Sequence, residues 1–111
     1  MYKAVFGLKR QNGTSIEEFE RHWREDHSPI AAEIPDLQKY TISIALDPED
    51  SRYDGTAQLY FDSAEALEAG LDSEAMDEAA ADLTDFADTE DVLELVVEEG
   101  VHVDEIGRAH V

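Results

Sequence analysis

Apolar and polar residues alternate along three short stretches of this chain, a fourth is almost wholly apolar, and two longer stretches between them carry the three-and-four spacing of helices. Over Tyr2 to Arg10, Tyr2, Ala4, Phe6 and Leu8 share one face while Lys3, Val5, Gly7 and Lys9 share the other, the period-two signature of a strand. Leu37 to Leu46 repeats it, with Tyr40, Ile42 and Ile44 against Thr41, Ser43 and Ala45. Thr56 to Phe61 sets Ala57, Leu59 and Phe61 against Gln58 and Tyr60, and the very apolar run Val92 to Val97 predicts a fourth strand. Gln11, Asn12 and Gly13 predict a turn, and the polar segment 47–55, with Pro48 and Gly55, predicts a loop.

The first helix starts at Ser15, which with Glu18 matches a capping box. Ile16, Phe19, Trp23, His27 and Ile30 then recur at spacings of three or four and form one stripe, with His22 beside it. Pro29 is expected to end or kink this helix, and Pro35 with Asp36 to turn the chain. Ser63 caps a short helix over Ala64 to Leu71. Ser73 caps another, whose apolar side is Ala75, Met76, Ala79, Ala80, Leu83 and Phe86. The order β-α-β-β-α-β predicts an α+β, ferredoxin-like fold: a four-stranded antiparallel sheet with helices on one face. Several strands are apolar on both faces. A homodimer packed sheet to sheet would cover the second face.

Length and charge narrow the picture. The 111 residues suit one domain. Asp and Glu number 28 against 8 Lys and Arg, for a net charge of −20. Such a surface repels nucleic acid and anionic membranes, so neither is an expected partner. With 42% hydrophobic residues in periodic patterns, disorder does not explain the acidity. Adaptation to high salt does, and a haloarchaeal source is expected, because screening at molar salt makes self-repulsion tolerable. The absence of Cys fits a reducing compartment. With no membrane-length apolar run and a strand-like N-terminus in place of a signal peptide, the expected location is the cytoplasm.

Candidate chemistry gathers in Ser15 to Pro35, which holds the single Trp, two of the four His and two of the three Pro. His27 is the candidate general acid or base, since imidazole takes and returns protons near neutral pH. A structural His fixing the turn at Ser28–Pro29 is the alternative. Tyr40 could donate to a substrate oxygen or simply pack. Trp23 and Phe19 suit the core, and also the wall of a pocket at its edge. Arg21 and Arg24 suit ion pairs with Glu17, Glu20 or Glu25 on a solvated face. His22 and His27 are five apart, off the i,i+4 spacing of paired helical ligands, so no metal site is expected.

The last seven residues, EIGRAHV, continue no pattern. They resemble the translation of a short-read sequencing adapter, which makes 1–104 the domain and 105–111 a non-native tail. Without the tail the net charge stays at −20.

The segment FERHWREDHSPIAAEIPDLQKY resembles the signature of the EthD family: an aromatic, then Trp, then His-x-Pro, then Pro and a Tyr opening the second strand. The stretch LYFDSAEALEAGLDSEAMDEAAADLTDFAD resembles the subgroup often labelled "EthD family reductase". The resemblance, which reaches to about Glu98, implies a dimeric α/β barrel of two ferredoxin-like subunits. It also implies a pocket for a small, mostly apolar organic metabolite, cyclic ones included. Catalytic roles would fall to His27 and Tyr40, and substrate contacts to Trp23, Phe19, Phe6 and Tyr60. Relatives include cofactor-free isomerases and dehydratases. With neither a Gly-rich dinucleotide loop nor a flavin motif, the sequence gives the reductase label little support, and no cofactor is expected. An accessory protein that binds a metabolite beside a degradative oxygenase, and a cofactor-free monooxygenase, are the competing functions.

Overall fold

A computed structural model describes residues 1–104. The adapter-like segment 105–111 lies outside the described residues. Four strands, β1 (Tyr2–Leu8), β2 (Lys39–Ile44), β3 (Gly55–Phe61) and β4 (Leu93–Glu98), form one antiparallel sheet in the order β2-β3-β1-β4. Between them lie α1 (Ile16–His22), a π-helical turn at Trp23–His27, α2 (Ser28–Ala31), α3 (Ala64–Leu71) and α4 (Glu74–Asp82). This is the expected ferredoxin-like arrangement. The sheet of one chain is open, with β2 and β4 as its edges. Among the described residues no helix is long and apolar enough to cross a membrane.

The serines act as the sequence predicts. The Ser15, Ser63 and Ser73 hydroxyls accept from the backbone N–H groups of Glu18, Ala66 and Met76, the first free donors of their helices. β1 and β2 are shorter than the alternation suggests. Arg10 makes only an isolated bridge to Ala87, and Leu46 is fully exposed beyond β2.

Cross-strand register settles the two faces. Phe6 pairs with Ala57 and Glu94, and Tyr40 with Leu59, so these residues face the helices. Phe61 of β3 shares that face, and Phe19, Trp23, Leu67 and Phe86 pack against it, all buried. The opposite face carries Lys3 paired with Tyr60 and Val97, and Val5 paired with Gln58 and Leu95. Leu95 is 51% exposed there, an apolar side chain on an uncovered sheet.

The helix after Ser15 is irregular just ahead of Pro29. Pro29 does not end it; helical backbone continues to Ala31. The Ser28 N–H bonds the Trp23 carbonyl, a five-residue step that widens the turn just before the proline. The buried residues are Phe19, Trp23, His27 and Ala31, four apart each time. In a regular α-helix three such steps drift by about 120°. The wide turn absorbs that drift and keeps all four on the sheet side. Trp23 fits because Gly55 has no side chain: a Cβ there would lie 2.7 Å from the Trp23 ring and 2.7 Å from the Ser43 carbonyl.

Candidate functional site

A cavity of about 250 Å³ opens between the helices and the sheet. Its wall is mostly apolar, from Phe6, Leu8, Trp23, Ile34, Leu59, Met76 and Leu83 among others. Five of its lining side chains can form hydrogen bonds: His27, Tyr40, Thr89, Glu94 and Trp23, whose indole N–H is engaged by Tyr40. A cavity of roughly 150 Å³ accepts benzene, so this one has room for a compound of one or two rings.

His27 is 7% exposed and sits on the π-helical turn. Its Nδ1 lies 2.9 Å from Asp82 Oδ2. A carboxylate accepts only, so Nδ1 carries the proton and Nε2 keeps its lone pair. Nε2 has no hydrogen-bond partner among the described residues, and none of their fully buried polar side-chain atoms is orphaned. Nε2 is therefore not fully buried, and His27 is one of the residues that line the cavity. Burial pushes the imidazole below its ordinary value of 6.5, while the hydrogen bond and charge of Asp82 pull the other way; His22 adds a further lowering. The balance favours neutral imidazole, the form that works as a base.

This depression has a testable consequence for stability. A histidine whose folded value lies below its unfolded value contributes stability that is complete above pH 6.5 and is lost as pH falls through the folded value. The denaturant midpoint should therefore fall between about pH 7 and pH 5. In His27→Gln, which has no imidazole to charge, that fall should be shallower. Equal slopes in the two proteins would show that burial of neutral His27 is not coupled to folding.

Tyr40 stands beside His27 in the same wall. Its hydroxyl oxygen accepts from the Trp23 indole N–H at 3.1 Å and lies 3.3 Å from the Ser28 hydroxyl. With those two groups donating, the Tyr40 proton is free to donate into the cavity. Burial raises its pKa above 10, opposed by the bonds from Ser28 and Trp23, so the phenol keeps its proton.

The other sequence-predicted residues divide. Phe6 and Trp23 line the cavity. Phe19 lies behind Trp23, ring centroids 5.4 Å apart and nearly edge-on, in the core. Tyr60 is on the opposite face of the sheet, with Lys3 and Lys39 at 5.3 and 5.2 Å from its ring centre. It does not share the cavity. Arg24 pairs with Glu20 at 2.8 Å on the solvated face, as expected.

Sequence spacing separated His22 from His27, and the structure joins them. His22 Nε2 lies 3.1 Å from the same Asp82 Oδ2, and its ring stacks on Phe86 at 4.5 Å. Asp82 itself gave no sequence signal except its place: an acid closing α4 opposes the helix dipole, a local misfit that the two imidazoles offset. No group of three or more His, Cys, Asp or Glu among the described residues is arranged to hold a metal ion.

Comparison with known proteins bears on the family and the fold. The profile of the EthD domain matches residues 11–90. No curated protein sequence matches the chain. A crystal structure of an ethyl tert-butyl ether degradation (EthD) family protein from Bacillus halodurans is 20% identical, with a TM-score of 0.74 over 90% of this chain and 100% of that one. A dimeric ferredoxin-like protein of unknown function from Thermobifida fusca is 16% identical, with a TM-score of 0.64 over 86% and 88%. A variant of SnoaB, a cofactor-independent oxygenase from Streptomyces nogalater, is 13% identical, with a TM-score of 0.68 over 94% and 97%.

Proposed function

The chain belongs to the EthD family, and from that premise we propose that it binds a small, mostly apolar, neutral ring compound and moves a proton on it without a cofactor. The observation that carries this reading is the His27–Asp82 pair in the wall of an apolar cavity, with Nε2 unpartnered. Nε2 removes a proton next to a carbonyl. Asp82 holds the tautomer and stabilises the imidazolium that forms. The Tyr40 hydroxyl donates to the carbonyl oxygen as negative charge develops there. Return of the proton to another carbon gives isomerisation, and loss of a neighbouring hydroxyl gives dehydration. Glu94 in the wall disfavours an anionic ligand.

The test is native purification in high salt, with any retained compound identified by mass. That compound is then incubated with the protein in D₂O. Deuterium entering a position next to a carbonyl supports the reading. Tight binding without exchange or conversion would replace it with that of a binding protein.

A second reading uses the same first step. If His27 takes a phenolic or enolic proton, the resulting electron-rich anion can react with O₂ directly. The fold likeness to SnoaB is what supports it. Oxygen uptake with the retained compound would select it over isomerisation.

The functional unit in this reading is a homodimer packed through the open sheet face, where Leu95 and Val97 stand with Val5. Sedimentation in molar salt is expected to give the mass of two chains; monomer alone would remove the barrel. The charge of −20 is read as salt adaptation and not as part of the site.

A further inference from the structure

We propose that His22 and Asp26 form an exit for the His27 proton, carrying it through Asp82 to solvent so that the cavity itself need not admit water. This rests on the reading of His27 as a base. The links are short and lie in series. His27 Nδ1 is 2.9 Å from Asp82 Oδ2, the same oxygen is 3.1 Å from His22 Nε2, and His22 Nδ1 is 3.3 Å from Asp26 Oδ2. Side-chain exposure rises along the same path, from 9% at His27 and 11% at Asp82 to 24% at His22 and 65% at Asp26. The two ends thus differ in the way a conduit requires: one lines an apolar cavity, the other stands in water.

The transfers balance. His27, after taking a proton at Nε2, releases its Nδ1 proton to Asp82. His22 has a carboxylate at each ring nitrogen, so its proton can stand on either; in the tautomer that donates from Nδ1 to Asp26, its Nε2 takes a proton from Asp82. His22 releases that Nδ1 proton to Asp26 or to water beside it. One proton has left the cavity side and one has reached solvent, and no charge is left behind. Both imidazoles end with the proton on Nε2; the reverse pass brings a solvent proton in and resets them, so one full cycle exchanges the cavity proton for a solvent proton. The π-helical turn makes the series possible. Its five-residue step brings positions 22 and 27 to one carboxylate, and Asp26, within the same turn and four residues on from His22, meets the other nitrogen of that ring.

A purely structural role for His22 would consist of stacking on Phe86 and donating one hydrogen bond to Asp82. Two variants separate the roles. His22→Phe keeps a ring to stack. His22→Gln keeps an N–H to donate. Neither accepts and releases a proton. The measurement is the rate at which the His27 ring proton exchanges with water, by nitrogen-resolved NMR on the full chain without ligand. Both variants should slow that exchange by about tenfold or more, and Asp26→Asn should slow it by less. Exchange at the wild-type rate in His22→Gln would overturn the proposal. The experiment needs no substrate, so its failure removes the exit and leaves the base at His27 standing. Failure of the deuterium test in the wild-type protein removes the reaction instead.

Discussion

Replacing His27 with Ala should lower turnover of the bound compound by about 10²- to 10⁴-fold, the range that a positioned acid or base contributes. Ligand affinity should change far less, because His27 is one of a few polar groups in a wall that Phe6, Leu59, Met76 and Leu83 make mostly apolar. Asp82→Asn should lower turnover in the same direction while leaving the imidazole in place. The amide oxygen can still accept from Nδ1, but it brings no charge to stabilise the imidazolium. Deuterium incorporation into the retained compound reads both. Folding is the necessary control, since His27→Ala leaves Asp82 with His22 alone; circular dichroism and sedimentation should match wild type. Turnover that persists within a few-fold in His27→Ala would end the catalytic assignment and leave His27 as the structural residue its buried stripe position also suits.

The sequence carries the fold because each local signal agrees with the next. Three serines cap three helices, alternation marks three strands, an apolar run marks the fourth, and Phe19, Trp23 and His27 fall on one buried line. Element ends are less legible. Leu46 continues the alternation of β2 yet has no strand to pair with, and only register reveals that. The same holds for the faces. Phe6 and Tyr60 are both aromatic strand residues, and nothing in composition says that one lines the cavity and the other meets two lysines on the far side. Pairing of Lys3 with Tyr60 and of Phe6 with Ala57 decides it.

The site was half legible for a more specific reason. His27 and Tyr40 stand out as rare side chains at telling positions. His22 and Asp82 do not. Spacing arguments assume the α-helical period, under which residues five apart diverge; the π-helical turn replaces that period over Trp23–His27. Asp82 is one of 28 acids, nearly all serving the surface, so its charge is no signal. An irregular turn ahead of a proline and a dense acidic background therefore hid the part of the site that lies between elements. A signal was present in principle: Pro29 removes a donor from the helix, and a widened turn is one way the backbone accommodates that loss.

Trp23→Ala should cost about 3 to 5 kcal/mol of stability. The indole is fully buried, meets Phe19 edge-on and fills the space that Gly55 leaves over β3. For a domain stabilised by about 5 to 15 kcal/mol, such a loss brings the folded state near its limit. The function suffers separately. The Trp23 N–H holds the Tyr40 hydroxyl, so its removal frees the phenol as well as enlarging the cavity. Trp23→Phe distinguishes the two contributions. It keeps an aromatic ring but loses the N–H and part of the bicycle, and should cost roughly 1 kcal/mol for the missing hydrogen bond plus the cost of a void smaller than that left by Ala. Denaturant midpoints should therefore rank wild type, then Phe, then Ala. The drop in turnover from wild type to Phe should be larger than the drop in stability alone explains. Gly55→Ala approaches the same ring from the sheet side, and its Cβ meets both ring and backbone, so it should destabilise by about 1 to 3 kcal/mol. If Trp23→Ala shifts the midpoint no further than Gly55→Ala does, the indole belongs to the pocket wall more than to the core, and the cavity is able to open on that side.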